Sequence, residues 1–277
     1  MACSGNCSSC GEKGSCENSD VKLNAVLDRI QHKIMVLSGK GGVGKSSVAA
    51  SMAFLLAKAG KKVGLLDLDF HGPSQPTLFG AQHLRMEADE NGLYPLDVKG
   101  IKLVSVGLVV DDNDQAVIWR GPAKIGVLRQ LIEDVHWGDL DYLILDFPPG
   151  SGDEVLSAAQ MIKGNRSAVI VTTPQEMSMA DCRKCIDFCQ KVDLGVAGIV
   201  ENMSGFTCPE CGKTHPLFST GGGAALAKKY GIPFLAQLPV NPAFMGSCDS
   251  GDLDSAMQKA PEIREAMENV IRTVALI

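Results

Sequence analysis

The stretch that decides the fold is Gly39-Lys40-Gly41-Gly42-Val43-Gly44-Lys45-Ser46. It matches G-x-x-x-x-G-K-[ST], the pattern of phosphate-binding loops, and it lies between an apolar run at 34–37 and a helical pattern at 48–58. Glycines let backbone N–H groups surround phosphate oxygens, and the next helix adds the positive end of its dipole. We therefore predict a nucleotide site in which Lys45 reaches the outer phosphates and the Ser46 hydroxyl binds Mg²⁺, with Ser47 completing the loop.

Strand-like apolar runs alternate with helical patterns from residue 33 onward. Continuous runs such as 142–145 and 168–171 favour strands covered on both faces, and hence a mainly parallel sheet. The alternation predicts a doubly wound α/β fold, and the phosphate-binding loop indicates that this fold is of the P-loop NTPase kind. The predicted strands are 33–38, 62–67, 101–106, 141–146, 167–172, 195–201 and 233–237, and the predicted helices are 45–59, 122–136, 153–163, 177–192, 220–230 and 261–275.

Two parts of the chain are expected. Residues 1–32 form a Cys-rich N-terminal segment with a lead-in helix at 23–31, and residues 33–277 form the nucleotide-binding domain. Residues 1–20 have too little apolar surface to fold alone and should be loose without a metal. Residues 83–100 and 203–222 are expected to be irregular insertions.

Composition excludes several classes of function. The net charge of −6 and pI of about 5.4 disfavour a nucleic-acid partner, and no apolar run approaches the roughly 20 residues of a membrane helix. The first residues lack the basic and apolar regions of an export signal. Ten cysteines in such a chain indicate metal or redox chemistry rather than disulfides, so we expect a cytoplasmic protein.

Aspartates stand at two predicted strand ends. Asp67 and Asp69 follow one run, and Asp146 ends another. Because the carboxyl ends of parallel strands lie beside the phosphate loop, Asp146 is predicted to be the Mg²⁺-associated acid, directly or through water. Asp69 is favoured as the residue that orients or activates the attacking water. In the alternative interpretation, Asp67 only caps or hydrogen-bonds its own loop.

Cys208 and Cys211 form a C-x-x-C pair in the second insertion. Two thiolates at this spacing can hold one metal, but a tetrahedral or cubane site needs four ligands. A symmetric dimer would supply them as two cysteines from each chain. In a zinc-knuckle-like alternative, His215 is a third ligand.

The remaining cysteines fall into groups. A C-x₂-C-x₅-C segment with one further cysteine in front is a strong metal signal, against an alternative of incidental cysteines in a tail: Cys3, Cys7, Cys10 and Cys16. A second group shares one face of a predicted helix, where core packing is favoured over a metal site: Cys182, Cys185 and Cys189. No chemistry is assigned to Cys248.

These motifs resemble the deviant-Walker ATPases, which include MinD, ParA and the nitrogenase iron protein. More narrowly, the chain resembles the Mrp/NBP-type iron–sulfur cluster carrier ATPases over about residues 33–250. The closer match rests, besides the phosphate loop, on segments at 72–74, 119–122, 172–176, 201–206, 208–211 and 221–223.

The resemblance implies roles for individual residues. Lys40, which the phosphate-loop motif does not require, would cross a dimer interface to the partner's nucleotide. Asn202 would recognise the adenine edge, with a plain strand-end turn residue as the alternative. Cys208 and Cys211 of two chains would hold a bridging, labile 4Fe–4S cluster. A second 4Fe–4S cluster would use Cys7, Cys10, Cys16 and Cys3, although the family's first cysteine lies further upstream.

The resemblance also implies a function. The protein would be a slow ATPase that assembles a labile 4Fe–4S cluster and transfers it to apo-proteins, as a homodimer or a heterodimer with a homologue. One alternative is a MinD- or ParA-like positioning ATPase. The acidic balance argues against DNA, and residues 261–277 lack the basic face that attracts anionic lipid. The other alternative is an ATP-coupled iron–sulfur reductase.

Overall fold

The computed structural model describes residues 13–70, 72–108, 121–208, 210–211 and 213–275, without the side chains of 13–19 and 121–122. Cys3, Cys7 and Cys10 lie outside the described residues, and so does the side chain of Cys16. The strands are β1 Ile30–Leu37, β2 Val63–Asp67, β3 Glu87–Asp89, β4 Gly92–Tyr94, β5 Leu96–Val98, β6 Ile101–Ser105, β7 Leu140–Asp146, β8 Arg166–Thr172, β9 Gly195–Glu201, β10 Phe206–Thr207, β11 Thr214–His215 and β12 Phe234–Gln237. The helices are α1 Lys13–Leu27, α2 Lys45–Lys58, α3 Gln75–Leu78, α4 Gly121–Glu133, α5 Asp153–Met161, α6 Glu176–Lys191, α7 Gly222–Tyr230, α8 Pro242–Asp249, α9 Leu253–Lys259 and α10 Pro261–Val274.

One large sheet organises the described chain, in the strand order β12-β9-β8-β1-β7-β2-β6-β5. Its neighbours are parallel except for the antiparallel edge pair β5 and β6. The register places Asp146 opposite both Val36 of β1 and Asp67 of β2. The carboxyl ends of β1, β7 and β2 therefore meet at one edge, beside the chain that follows β1.

Helices cover both faces of the sheet, as the continuous apolar runs predict. Ile34 and Val36 of β1 pack into one core with α2, α8, α9 and α10. Met35 and Leu37 point to the other face, into a core shared with α1, α4, α5, α6 and α7. The alternation of strand side chains thus builds two cores from one sheet, which confirms the doubly wound α/β fold.

The predicted strands and helices are all present, with ends shifted by a few residues; the lead-in helix expected at 23–31 ends at Leu27, and residues 30–31 instead open strand β1. Helix α4 stops at Glu133 rather than at 136, because the next residues leave the helix to bond with the insertion: Leu93 N donates to Asp134 O at 2.8 Å, and His136 N donates to Leu93 O at 2.9 Å. Among the residues that the structure describes, no helix has both the length and the apolar character needed to cross a membrane.

The insertions hold more structure than expected. Residues 83–100 contain the β3–β4 hairpin, whose turn forms because Asp89 accepts the backbone N–H groups of Asn91 and Gly92 at 2.7 and 3.2 Å. Residues 203–222 contain the β10–β11 hairpin. The short helices α3, α8 and α9 had no clear apolar period and were not predicted.

Residues 13–20 were expected to be loose but belong to helix α1. Tertiary packing accounts for the difference, because Leu23 and Leu27 of the same helix are buried in the core. Asp20 of this helix also forms an ion pair with Arg129 of α4, at 2.7 Å. Neither contact is visible in the composition of the segment.

Gly64 in β2 offers a test of the packing between the sheet and the residues after α4. A Cβ at this position would lie 2.8–2.9 Å from side-chain atoms of Leu140, Leu143 and Trp137, all of them buried. We expect Gly64→Ala to lower the free energy of unfolding by about 1–3 kcal/mol through overpacking. Urea unfolding followed by circular dichroism would measure the change.

Gly195→Ala is the matched control, because Gly195 opens strand β9 and no atom lies within 4 Å of its Cβ position. This substitution should be neutral or stabilising by about 0.5–1 kcal/mol, since alanine restricts the unfolded chain more than glycine does. Equal unfolding free energies for the two variants would contradict the packing described here.

Candidate functional site

The phosphate loop connects the end of β1 to the start of α2 and forms the floor of a cleft of about 500 Å³. Gly44 has a φ of 80°, and a side chain there would also overlap the amide of Asn202, so only glycine fits. The cleft is lined by Lys40 and every loop residue from Gly41 to Ser47, together with Asp69 and Pro149 from neighbouring strand ends. Gly39 lies behind them, where a Cβ would overlap the backbone of Asp181 in α6.

Lys45 and Asp146 form a buried ion pair at the base of this cleft, as Lys45 Nζ donates to Asp146 Oδ1. The same ammonium lies 3.3 Å from Ser46 Oγ. The structure therefore brings together the lysine, the serine hydroxyl and the acid that the sequence placed on separate elements.

Asp67 and Asp69 occupy different environments. Asp67 is fully buried and accepts hydrogen bonds from Asp69 N and Gln75 N, both at 3.1 Å, and from Ser105 Oγ at 3.2 Å. Burial, followed by the charge of Asp146, raises the pKa of Asp67 to about 7. Asp67 thus has the loop-bonding geometry of the alternative interpretation, whereas Asp69 is half-buried and lines the cleft.

Gln75 is a site residue that the sequence did not reveal. It is fully buried, and its Nε2 donates to Asp146 Oδ2 at 2.7 Å and to Ser46 O at 3.0 Å. Its Oε1 is buried without a hydrogen-bond partner in the described part of the chain. A polar residue between Ser74 and Pro76 was the available signal, but serine and proline also predict an ordinary turn.

The oxygen atoms at this end of the loop suit a hard cation. Mg²⁺ prefers oxygen ligands, and three groups here supply them: Ser46 Oγ, the Asp146 carboxylate and Gln75 Oε1, which has no hydrogen-bond partner among the described residues. The residues present therefore fit the cation predicted for the loop.

Asn202 joins the phosphate loop to a second, smaller pocket. Its Nδ2 donates to Val43 O at 2.9 Å. The pocket has a volume of about 190 Å³ and shares Gly44 and Ser47 with the cleft; its other lining residues are mostly apolar, among them Met203, Leu238, Val240, Phe244 and Ile263. The end of β9 is thus in contact with both the loop and an apolar cavity.

Cys208 and Cys211 lie on the β10–β11 hairpin, where Cys208 N donates to Lys213 O at 2.9 Å. Cys208 is partly exposed and Cys211 is exposed. The backbone N–H of Cys211, followed by that of Glu210 and by the Cys211 thiol, lowers the pKa of Cys208. A lowered thiol pKa favours the thiolate, the form that binds metals.

One chain presents two thiols at this hairpin. His215, the possible third ligand, is exposed on β11, where it pairs with Phe206. Across the residues that the structure describes, no three His, Cys, Asp or Glu side chains form a group able to hold a metal ion. The described residues therefore do not supply the set of ligands that the zinc-knuckle-like alternative needs.

The helical cysteines are core residues, as favoured from their spacing. Cys182, Cys185 and Cys189 of α6 are at most 2% exposed and pack in the core on that face of the sheet. Burial raises the pKa of Cys182 to about 12. Cys248 of α8 is also buried, at the wall of the cleft, and burial raises its pKa to about 11.

Comparison with known proteins gives the family. A family model described as "ParA: NUBPL iron-transfer P-loop NTPase" matches residues 29–275. An iron–sulfur cluster carrier protein of Methanococcus maripaludis is 43% identical over 257 residues, which cover 90% of this chain and 89% of that protein. The human cytosolic Fe-S cluster assembly factor NUBP2 is 46% identical over 230 residues, covering 81% and 85%.

Solved structures agree with the fold. A nucleotide-binding protein of Archaeoglobus fulgidus, solved in complex with ADP, is 41% identical with a TM-score of 0.75, covering 85% of this chain and 92% of that one. The cell division ATPase MinD of Pyrococcus furiosus, at 21% identity and a TM-score of 0.62 over 89% and 99% of the two chains, shows the same fold. The protein described here therefore belongs to the ParA/NUBPL family of iron-transfer P-loop NTPases.

Proposed function

We propose that this protein binds and hydrolyses ATP and uses that cycle to assemble a labile 4Fe–4S cluster and transfer it to apo-proteins. The observation that carries the proposal is the position of the Cys208–Cys211 hairpin, which continues directly from the residues that contact the phosphate loop. Asn202 bonds Val43 of the loop, and Ser204 N, two residues later, donates to Leu238 O at 2.9 Å beside the apolar pocket. The family and the names of its relatives support the same conclusion.

A nucleotide would span the two cavities. The phosphates would occupy the cleft over Gly41–Ser47, and the base would occupy the apolar pocket beside Asn202, since Gly44 and Ser47 line both. Ser46, Asp146 and Gln75 would hold Mg²⁺, which neutralises phosphate charge when bound. The outer phosphates would compete with Asp146 for Lys45, and Asp69 would orient the attacking water.

The cluster would lie between two chains. A cubane cluster needs four thiolates and each hairpin offers two, which favours a homodimer or a heterodimer with a homologue. Exposed apolar side chains near the hairpin fit such a contact: Ser219 Oγ donates to Pro174 O, so Leu217 and Phe218 lie beside the start of α6, where Met177 is 73% exposed. Lys40 would then reach the partner's nucleotide.

The N-terminal cysteines would bind a second 4Fe–4S cluster: Cys3, Cys7, Cys10 and Cys16. The site of action we propose is the cytosol, as in the names of the eukaryotic relatives, where glutathione keeps thiols reduced.

Lys45→Ala tests the nucleotide half of the proposal. A charge-assisted hydrogen bond contributes about 1.5–3 kcal/mol, so we expect ADP affinity to fall about tenfold to a hundredfold. Titration calorimetry would measure this. Cluster content should stay at the level of the unmodified protein, while ATP-dependent activation of a purified apo 4Fe–4S protein should stop.

Lys58→Ala is the control, because Lys58 ends the same helix and pairs with the partly exposed Asp254 at 3.2 Å. It should change neither ADP affinity nor transfer. Normal transfer by the Lys45 variant, with its Tm showing a folded protein, would separate the nucleotide from delivery and refute the coupling.

Cys211→Ala tests the cluster half. Removing one of the two thiolates from each chain leaves a bridging cluster short of ligands. In a chain whose four N-terminal cysteines are serine, we expect anaerobic reconstitution to give about four iron and four sulfide per dimer, and Cys211→Ala to lose both. ADP affinity should be unchanged.

Cys248→Ala is the control, because it removes a buried thiol outside the hairpin and places no hydroxyl in the core. It should retain the cluster. Zinc without sulfide at Cys208 and Cys211 would overturn the carrier function, and an unchanged iron and sulfide content in Cys211→Ala would place the cluster elsewhere.

A further inference from the structure

Glu201, the last residue of β9, is a fully buried carboxylate whose described hydrogen-bond partners are neutral. Its Oε2 accepts the backbone N–H of Gly223 at 2.5 Å. Its Oε1 accepts the Ser204 hydroxyl, and Gln237 Nε2 lies 3.3 Å away. Burial of a charge is costly unless hydrogen bonds compensate it, so these donors are tightly constrained to stay on the carboxylate.

The donors lie on both sides of the insertion that carries Cys208 and Cys211. Ser204 precedes the β10–β11 hairpin and Gly223 follows it, so one carboxylate holds both ends of the excursion. Gln237 Nε2 also donates to Ser204 Oγ at 2.5 Å, which ties the first end to β12. Glu201 therefore helps to set the orientation of the hairpin relative to the sheet, together with the backbone bonds from Ser204 N to Leu238 O and from Val240 N to Gly205 O.

Helix α7 gives the second end a further reason to stay there. Its N-cap is Gly221, which has no side chain to accept the free N–H groups of the first turn. Glu201 accepts one of them from a neighbouring strand, and a negative charge is favourable at the positive end of the helix dipole.

The next residue along the chain makes the contact with the nucleotide site. Asn202 donates through Nδ2 to Val43 O in the phosphate loop at 2.9 Å, and its backbone N donates to Thr172 O at 2.8 Å. Adjacent residues thus bond the loop on one side and the base of the hairpin on the other.

We propose that Glu201 is a positioning residue that couples the phosphate loop to the Cys208–Cys211 hairpin. A shift of Val43 on nucleotide binding moves Asn202, and the Glu201 carboxylate carries that shift to both ends of the insertion. The biological meaning of this coupling rests on the proposed function, but the coupling itself is measurable on the free thiols, without a cluster. Coupling between two sites is reciprocal, so either site can report it.

The experiment measures alkylation of Cys208 and Cys211 by iodoacetamide, with and without Mg·ADP, in the full chain with Cys3, Cys7, Cys10 and Cys16 changed to serine. Peptide mass spectrometry separates these two thiols from the buried ones. We expect ADP to change their alkylation rate by about fivefold or more, a typical allosteric effect. In Glu201→Gln this response should fall to nearly none, with the Kd for ADP within about threefold of the parent, because the amide NH₂ leaves at least one buried donor without its acceptor.

Gly223→Ala tests the same contact from the other side and keeps the carboxylate. Its Cβ would lie 3.0 Å from Glu201 Oε2, so the contact must loosen, and the ADP response should fall in the same direction. Asp252→Asn is the matched control: Asp252 also accepts a backbone N–H and a hydroxyl, both from Ser255, but it caps α9. It should keep the parent's response.

The proposal would be overturned if ADP changed the alkylation rate in Glu201→Gln and Gly223→Ala as much as in the parent. It would also be overturned if ADP did not change the alkylation rate in the parent. Loss of ADP binding in both variants would also overturn it, because Glu201 would then belong to the nucleotide site itself. Iron and sulfide binding by the parent is a separate measurement, so failure of the carrier function and failure of the coupling are distinguishable.

Discussion

The buried ion pair between Lys45 and Asp146 is the interaction on which the nucleotide site depends. Two charges withdrawn from water are tolerated only when geometry and further hydrogen bonds compensate them, and here Gln75 supplies a bond of 2.7 Å to the second carboxylate oxygen. Asp67 lies next to Asp146 in the sheet register, so removal of the lysine leaves two carboxylates facing each other. A phosphate that bound Lys45 would remove the positive charge beside Asp146 and would favour a cation there, so the proposed Mg²⁺ would be linked to nucleotide binding through charge.

The Cys208–Cys211 hairpin depends on the same end of the sheet, but through different contacts. Cys208 is partly exposed and Cys211 is exposed, and hydrogen bonds at the base of the insertion fix their position. Ser204 and Gly205 are tied to Leu238 and Val240 at 2.9 and 2.7 Å, and those two residues also line the apolar pocket. Occupation of that pocket and orientation of the hairpin therefore involve the same short stretches of chain.

Local chemistry explains which parts of this arrangement could be predicted from the sequence. The phosphate loop, the aspartates at strand ends and the cysteine pair are recognisable because each uses residue types at a spacing that few other structures need. The helical cysteines were assigned to the core by period alone. Gln75 and Glu201 were missed because their roles arise from partners 71 and 22 residues away, which no local pattern encodes. Short elements carry too few apolar residues to show a period, so the sequence did not predict the β3–β4 hairpin or helices α3, α8 and α9.

Three buried carboxylates at the same edge of the sheet show how their partners separate their roles. Asp146 is paired with the ammonium of Lys45, so its environment would change if that lysine bound a phosphate instead. The described hydrogen-bond donors to Asp67 are neutral, and burial, followed by the charge of Asp146, raises its pKa to about 7. Glu201 also has neutral donors, but they come from the two ends of one insertion. The carboxylate of Asp146 can lose its lysine partner to a phosphate. The carboxylate of Glu201 has neutral donors that a phosphate does not attract, so it keeps those donors together. The first property suits a residue that responds to a bound nucleotide, and the second suits a residue that holds the two ends of the insertion together. Both carboxylates lie near the phosphate loop because the carboxyl ends of parallel strands lie at the same end of the sheet.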